Sequence, residues 1–259
     1  MRILGAVLVT IAMLFAATFG VMAIGNVLPG GSQAVAPLIT VLVLLLVYAY
    51  RRFVSHRPWS GLRISLTWWA LPQAVLGMLV GLAALLGANA VSVWVGAATW
   101  LPPADFPPLM IPLVVIVIAL KASFPEELLF RGHLYDTLSD RLSPRAVLAV
   151  TTLSFGSIHI LSQSPASGIT EKLLYVVMAI ALGLLCGAAR ERTGALWMSV
   201  GVHNAVYLSQ LFPTRDIDYG VQLTLQAAAL ALSAVLVLAF PAVRSRVSGA
   251  EPPVPDALS

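Results

Sequence analysis

Long apolar runs, each ended by a short stretch of Pro, Gly, Ser or Arg, set the pattern of this chain. Crossing a hydrocarbon core of about 30 Å takes about twenty apolar residues in a helix. Eight runs come near that length: Ile3 to Val27, Ala36 to Tyr50, Leu66 to Ala90, Leu109 to Leu138, Pro144 to Leu161, Ile169 to Ala188, Ala195 to Leu211 and Val221 to Val243. The stretches between them, such as 28–33, 102–108 and 162–168, hold the residues that favour turns. Val91 to Trp100 fits either an extension of the third run or an interfacial segment, where Trp94 and Trp100 would be at home. The pattern predicts an all-α polytopic membrane protein with about eight transmembrane helices in a single bundle over residues 1–247. Residues 248–259 are polar and Pro-rich and read as a disordered cytoplasmic tail. Met1 to Gly25 is apolar for longer than the core of a signal peptide and lacks a polar cleavage region, so it is expected to stay as the first span.

Composition agrees with a bilayer as solvent. The chain is 59% hydrophobic and only 10% charged, with a mean hydropathy of +0.92, where a soluble domain carries roughly a quarter charged residues. A net charge of +4 does not point to nucleic acid, because the basic residues sit in short loops and not along an amphipathic face. Arg2, Arg51, Arg52, Arg57, Arg63, Arg141, Arg145, Arg190, Arg192, Arg244 and Arg246 all fall on one side of an eight-span layout, and only Lys172 and Arg215 on the other. The positive-inside rule then places the arginine side and both termini in the cytoplasm, and the expected location is a bacterial plasma membrane. Cys186 is the single cysteine, which excludes an intrachain disulfide, a thiolate zinc site and a dithiol redox pair. Gly77 with Gly81 and Gly183 with Gly187 have the spacing that lets membrane helices approach closely.

Against this background Lys121 to Arg131 stands out, with four charges inside the fourth run. Charge at that depth costs a few kcal/mol or more per group (order of magnitude). Glu127 and Arg131 are four apart, acid first, the better orientation for a helical ion pair. Glu126 is turned about 100° away around the helix and lacks that partner, which suits it to general acid or base work. Pro125 predicts a kink or a restart, with Ser123 as its cap. The other readings are a structural charge network or a transporter's proton site. Two histidines also lie within apolar runs, His159 one turn after Phe155 in the fifth and His203 in the seventh. With the fourth run centred in the bilayer, Glu126 and His203 are both near mid-depth and His159 is nearer the outer side, so the three can converge. His56 and His133 are expected in solvent or at the interface.

Glu126-Glu127-x-x-x-Arg131, then Phe155-x-x-x-His159, then a histidine late in the seventh run resembles the CAAX prenyl endopeptidase family, also called the Abi or CPBP family of intramembrane proteases. The likeness covers the fourth to seventh runs, about residues 120–210, within a motif-bearing core of about 109–211. It includes Phe130-Arg131-Gly132 after the double Glu and Arg192 to Trp197 leading into the last histidine. It implies an intramembrane endopeptidase that hydrolyses a peptide bond of a membrane-associated or C-terminal-tail substrate, with Glu126, His159 and His203 as catalytic residues and Glu127 and Arg131 in support. It implies as partners the lipid bilayer and a protein or peptide substrate, lipidated or not, and no nucleic acid. Family members are described both as metalloproteases and as metal-independent glutamate proteases, so a divalent metal, zinc, on Glu126, His159 and His203 is one expectation and none is the other. The family's Asn four residues after the last His is Tyr207 here, and Asn204 is adjacent to His203 but on another face of the helix. Either could assist an oxyanion. The departure also fits a non-catalytic scaffold or bacteriocin self-immunity protein of the same family.

Overall fold

The computed structural model describes residues 3–27, 35–102 and 107–241. Arg2, Arg244, Arg246, the whole 28–33 linker, residues 103–106 and the tail at 248–259 lie outside the described residues. The described chain forms α1 (Ile3–Gly25), α2 (Leu38–Ser55), α3 (Ala70–Trp94), α4 (residues 111–139), α5 (Pro144–Leu161), α6 (Ile169–Thr193), α7 (Trp197–Leu208) and α8 (Tyr219–Ala239). It is an all-α polytopic membrane protein. Of these helices α1, α2, α3, α5, α6 and α8 are long and apolar enough to cross a bilayer. The other two runs expected to span are exceptions for physical reasons. α4 is interrupted by charge, and α7 has 12 residues, about 18 Å of helix, well short of the core. These two carry most of the candidate chemistry.

Glycine sets how α7 is held. A Cβ on Gly201 would fall 1.9 Å from the Ala74 carbonyl oxygen, and one on Gly77 2.0 Å from that of Met198. Backbone against backbone at this distance is open only to glycine, so α3 and α7 meet main chain to main chain at these two points. The α3 helix ends at Trp94 and does not extend through Trp100. Residues 95–98 turn, and Thr99–Trp100 (β1) pairs antiparallel with Thr214–Arg215 (β2).

The two ends of the bundle are tied differently. At one end Arg51 reaches Asp136 at 2.9 Å, and Arg57 reaches Asp136 at 2.8 Å and Asp140 at 2.5 Å. The Arg57 hydrogen bond holds the Asp140 carboxyl below the usual carboxylate range, and the Arg57 guanidinium is raised in return. Trp197 Nε1 donates to the Ser65 carbonyl at 2.7 Å at this same end. His133, expected in solvent or at the interface, is instead fully buried there, edge-on to the Tyr50 ring at 5.4 Å. The reason is tertiary, since α2 and the turn Trp59–Leu62 cover that face of α4. At the opposite end the β1–β2 ladder is joined by an Asp218 N–H to Ala97 carbonyl bond of 2.8 Å. The Gln222 and Gln226 amides donate to Asn89 Oδ1 at 3.2 and 3.0 Å.

Candidate functional site

The site is built on a distorted helix. In α4, π-helical turns at Ala119–Ser123 and Leu128–Leu134 flank the single α-helical turn Phe124–Glu127. Pro125 lacks an N–H and crowds the carbonyl one turn back, and the wide turn before it takes up the conflict. The helix therefore runs through Pro125 and does not restart. Ser123 is itself helical and makes no cap, and its hydroxyl donates to Asn204 Oδ1 at 2.5 Å. Widened turns of this kind often occur at functional positions.

Glu127 forms the expected pair with Arg131, Oε1 to NH1 at 3.1 Å, with both side chains fully buried. The surroundings of the pair were not visible in the i,i+4 spacing. His203 Nδ1 lies 2.9 Å from the same Glu127 oxygen. Arg131 NH2 donates to the Gly183 carbonyl at 2.7 Å, and the guanidinium lies over the Phe155 ring at 4.5 Å. A Cβ on Gly183 would come within 3.0 Å of Arg131 NH2, so the small residue in the Gly183/Gly187 pair also makes room for a cation.

Hydrogen-bond partners assign the histidine tautomers. A carboxylate only accepts, so Nδ1 of His203 carries the proton given to Glu127, which leaves Nε2 as the ring's second face. That Nε2 is 3.9 Å from Glu126 Oε2. His159, half-buried at the end of α5, lies 2.8 Å through Nδ1 from the Phe155 carbonyl. That carbonyl also only accepts, so neutral His159 presents an unprotonated Nε2. Glu126 is 21% exposed at its side chain against 0% for Glu127. Its carboxylate is within electrostatic reach of His159, Tyr175 and Tyr207.

A cavity of about 660 Å³ is lined by His159, His203, Tyr175 and Tyr207. The Tyr207 ring stacks parallel to His203 at 6.2 Å, and Tyr175 lies 6.1 Å from His159. Asn204 turns away from these groups. Its side-chain NH2 donates to the Val115 carbonyl at 3.2 Å while its oxygen accepts from Ser123, so it fastens α7 to α4. Tyr175 was not singled out in the sequence, where a tyrosine in an apolar helix has no distinguishing neighbour. Among the described residues no three His, Cys, Asp or Glu side chains are grouped so as to hold a metal ion. Glu126, His159 and His203 as arranged do not form such a group, and no step below passes through a metal.

No curated protein matches the chain. A family model does match, over residues 108–209, from the start of α4 to the end of α7. That segment holds both acidic residues, Arg131, the two histidines, Asn204 and Tyr207. Over that segment the chain is similar to the family described as Type II CAAX prenyl endopeptidase Rce1-like.

Proposed function

We propose that this protein is an intramembrane endopeptidase, with both termini in the cytoplasm, that uses Glu126 as general base. The observation that carries this reading is Glu126 and His203, from different helices, facing each other at 3.9 Å beside a cavity that both histidines line. That separation is too long for a direct hydrogen bond and suits one water touching both groups. Glu126 takes a proton from this water as its oxygen adds to the substrate carbonyl carbon. Glu127, clamped by Arg131, holds His203 in the tautomer that aims Nε2 at the same water. The Tyr207 hydroxyl donates to the developing oxyanion in place of the family's Asn. When the C–N bond breaks, the proton held on Glu126 passes to the leaving amine, giving a free amine and a carboxylic acid that yields its remaining proton to solvent. His159 offers its bare Nε2 as a relay for that proton.

The test compares C-termini across the membrane proteome of cells with wild-type protein and with Glu126→Gln. The expected result is a set of trimmed or internal termini present only with wild type. Tyr207 at the family's Asn position favours a second reading, a non-catalytic scaffold or self-immunity protein. A biological phenotype that survives Glu126→Gln with no change in termini selects it. Chelation of the purified protein bears on zinc: full activity after metal stripping removes the metalloprotease version.

A further inference from the structure

The cavity beside Glu126 has a direction. Gln163 and Pro165, before α6, and Gln210, Phe212 and Ile217, after α7, are exposed at its rim, whereas His203, Leu182 and Leu223 are buried at its floor. The rim loops share the end of the bundle that holds the β1–β2 ladder. The loops at the other end carry Arg51, Arg52, Arg57, Arg63, Arg141 and Arg145, with Arg190 and Arg192 closing α6 beside them. Among the described residues only Lys172 and Arg215 are basic at the cavity end. Short arginine-rich loops are retained on the cytoplasmic side, so the cavity faces away from it.

The lining also restricts what can enter. No Asp, Glu, Lys or Arg is among its described residues, and five carboxamides are: Asn89, Gln163, Gln210, Gln222 and Gln226. Asn89, Gln222 and Gln226 bond to one another deeper in the cavity, and Gln163 and Gln210 at the rim offer both donor and acceptor, the complement of the N–H and C=O groups along an extended peptide. A charged side chain would lose its hydration there and meet no opposite charge in the lining itself, and the charges beside the lining are already engaged, Lys172 by Ser162 and Ser164 and Glu126 facing His203. Resting on the endopeptidase reading, we infer that the cavity admits its substrate from the extracytoplasmic face and is built for an uncharged, extended polypeptide segment, such as the outer flank of a membrane span.

Cysteine labelling tests this without relying on catalysis. The native Cys186 is fully buried, so it gives little background with a membrane-impermeant maleimide. Gln163→Cys and Gln210→Cys place a thiol at the rim, and Arg145→Cys places one at the arginine end, all at exposed positions. In intact cells the two rim cysteines should label and Arg145→Cys should not, and in inverted vesicles the pattern should reverse. Rim cysteines that label only in inverted vesicles overturn the assignment of sides. For the lining, an end-blocked octapeptide of alternating Ser and Val should slow labelling of Gln210→Cys. The same peptide with Asp or Lys at alternate positions should protect more weakly by about tenfold or more in concentration, the equivalent of about 1.4 kcal/mol. Equal protection by the charged peptides overturns the substrate class. Labelling of the rim from outside, with Glu126→Gln leaving every terminus unchanged, would keep the cavity's direction and refute only the peptidase.

Discussion

Replacing Arg131 by Met leaves the Glu127 carboxylate in a fully buried site with His203 and the weak thiol donor of Cys186 as its remaining partners. Truncating one member of a buried ion pair costs about 3–5 kcal/mol, because the surviving charge keeps its desolvation penalty and loses its compensation. Loss of the guanidinium over Phe155 adds about 0.5–2 kcal/mol. The expected destabilisation is therefore at the upper end of what single substitutions produce. Glu127→Gln/Arg131→Met removes both charges and keeps an amide for His203, so it should recover most of the loss and sit within about 1–2 kcal/mol of wild type. Reversible unfolding in mixed micelles at increasing SDS fraction, run as a double-mutant cycle, measures both numbers. A single variant within about 1 kcal/mol of wild type, or a double variant as unstable as the single, would falsify the view that this pair is a neutralised unit holding His203.

The other expectations are smaller in scope. Tyr207→Phe removes a hydroxyl at the cavity wall and should lower kcat by about a hundredfold with KM nearly unchanged, as for loss of an oxyanion donor; an unaltered kcat would remove Tyr207 from the chemistry. Gly201→Ala forces a methyl against the Ala74 carbonyl and should cost about 1–3 kcal/mol as an overpacked contact, read as a lower detergent-unfolding midpoint. Asp140 is lowered in the folded state by Arg57, so its contribution is present above its unfolded pKa of about 3.9 and is lost as pH falls through the lower folded value. A thermal-stability profile should thus decline on the acid side, and Asp140→Asn should flatten that limb; a variant whose acid limb matches wild type would refute the clamp.

Hydropathy alone revealed where most helices lie, because the bilayer demands long apolar helices whatever their neighbours. The Glu127–Arg131 pair was readable for a similar reason: both partners are on one helix, four residues apart. The contact between His203 and Glu127 joins residues 76 apart in sequence, and no local pattern encodes it. The burial of His133 was misread because the covering residues come from α2 and the Trp59–Leu62 turn, not from its own helix. The π-helical turns were hidden as well. Pro125 announces a conflict in the helix, but whether the chain answers with a break or a widened turn depends on Asn204 and the packed α7 behind it. Hydropathy overestimates the length of α7 because Ala195 and Leu196 before it and Leu211 after it extend the apolar run beyond the helix.

Each widened turn in α4 stores one residue more than regular winding would need. Deleting a residue from Ala119–Ser123 would let regular winding resume with both halves of the helix near their present bearings. Deleting one between Glu127 and Arg131 would instead bring these two one position closer and turn the guanidinium off the carboxylate's face. The second widened turn thus has a length that the buried acid cannot do without, whatever apolar residues fill it.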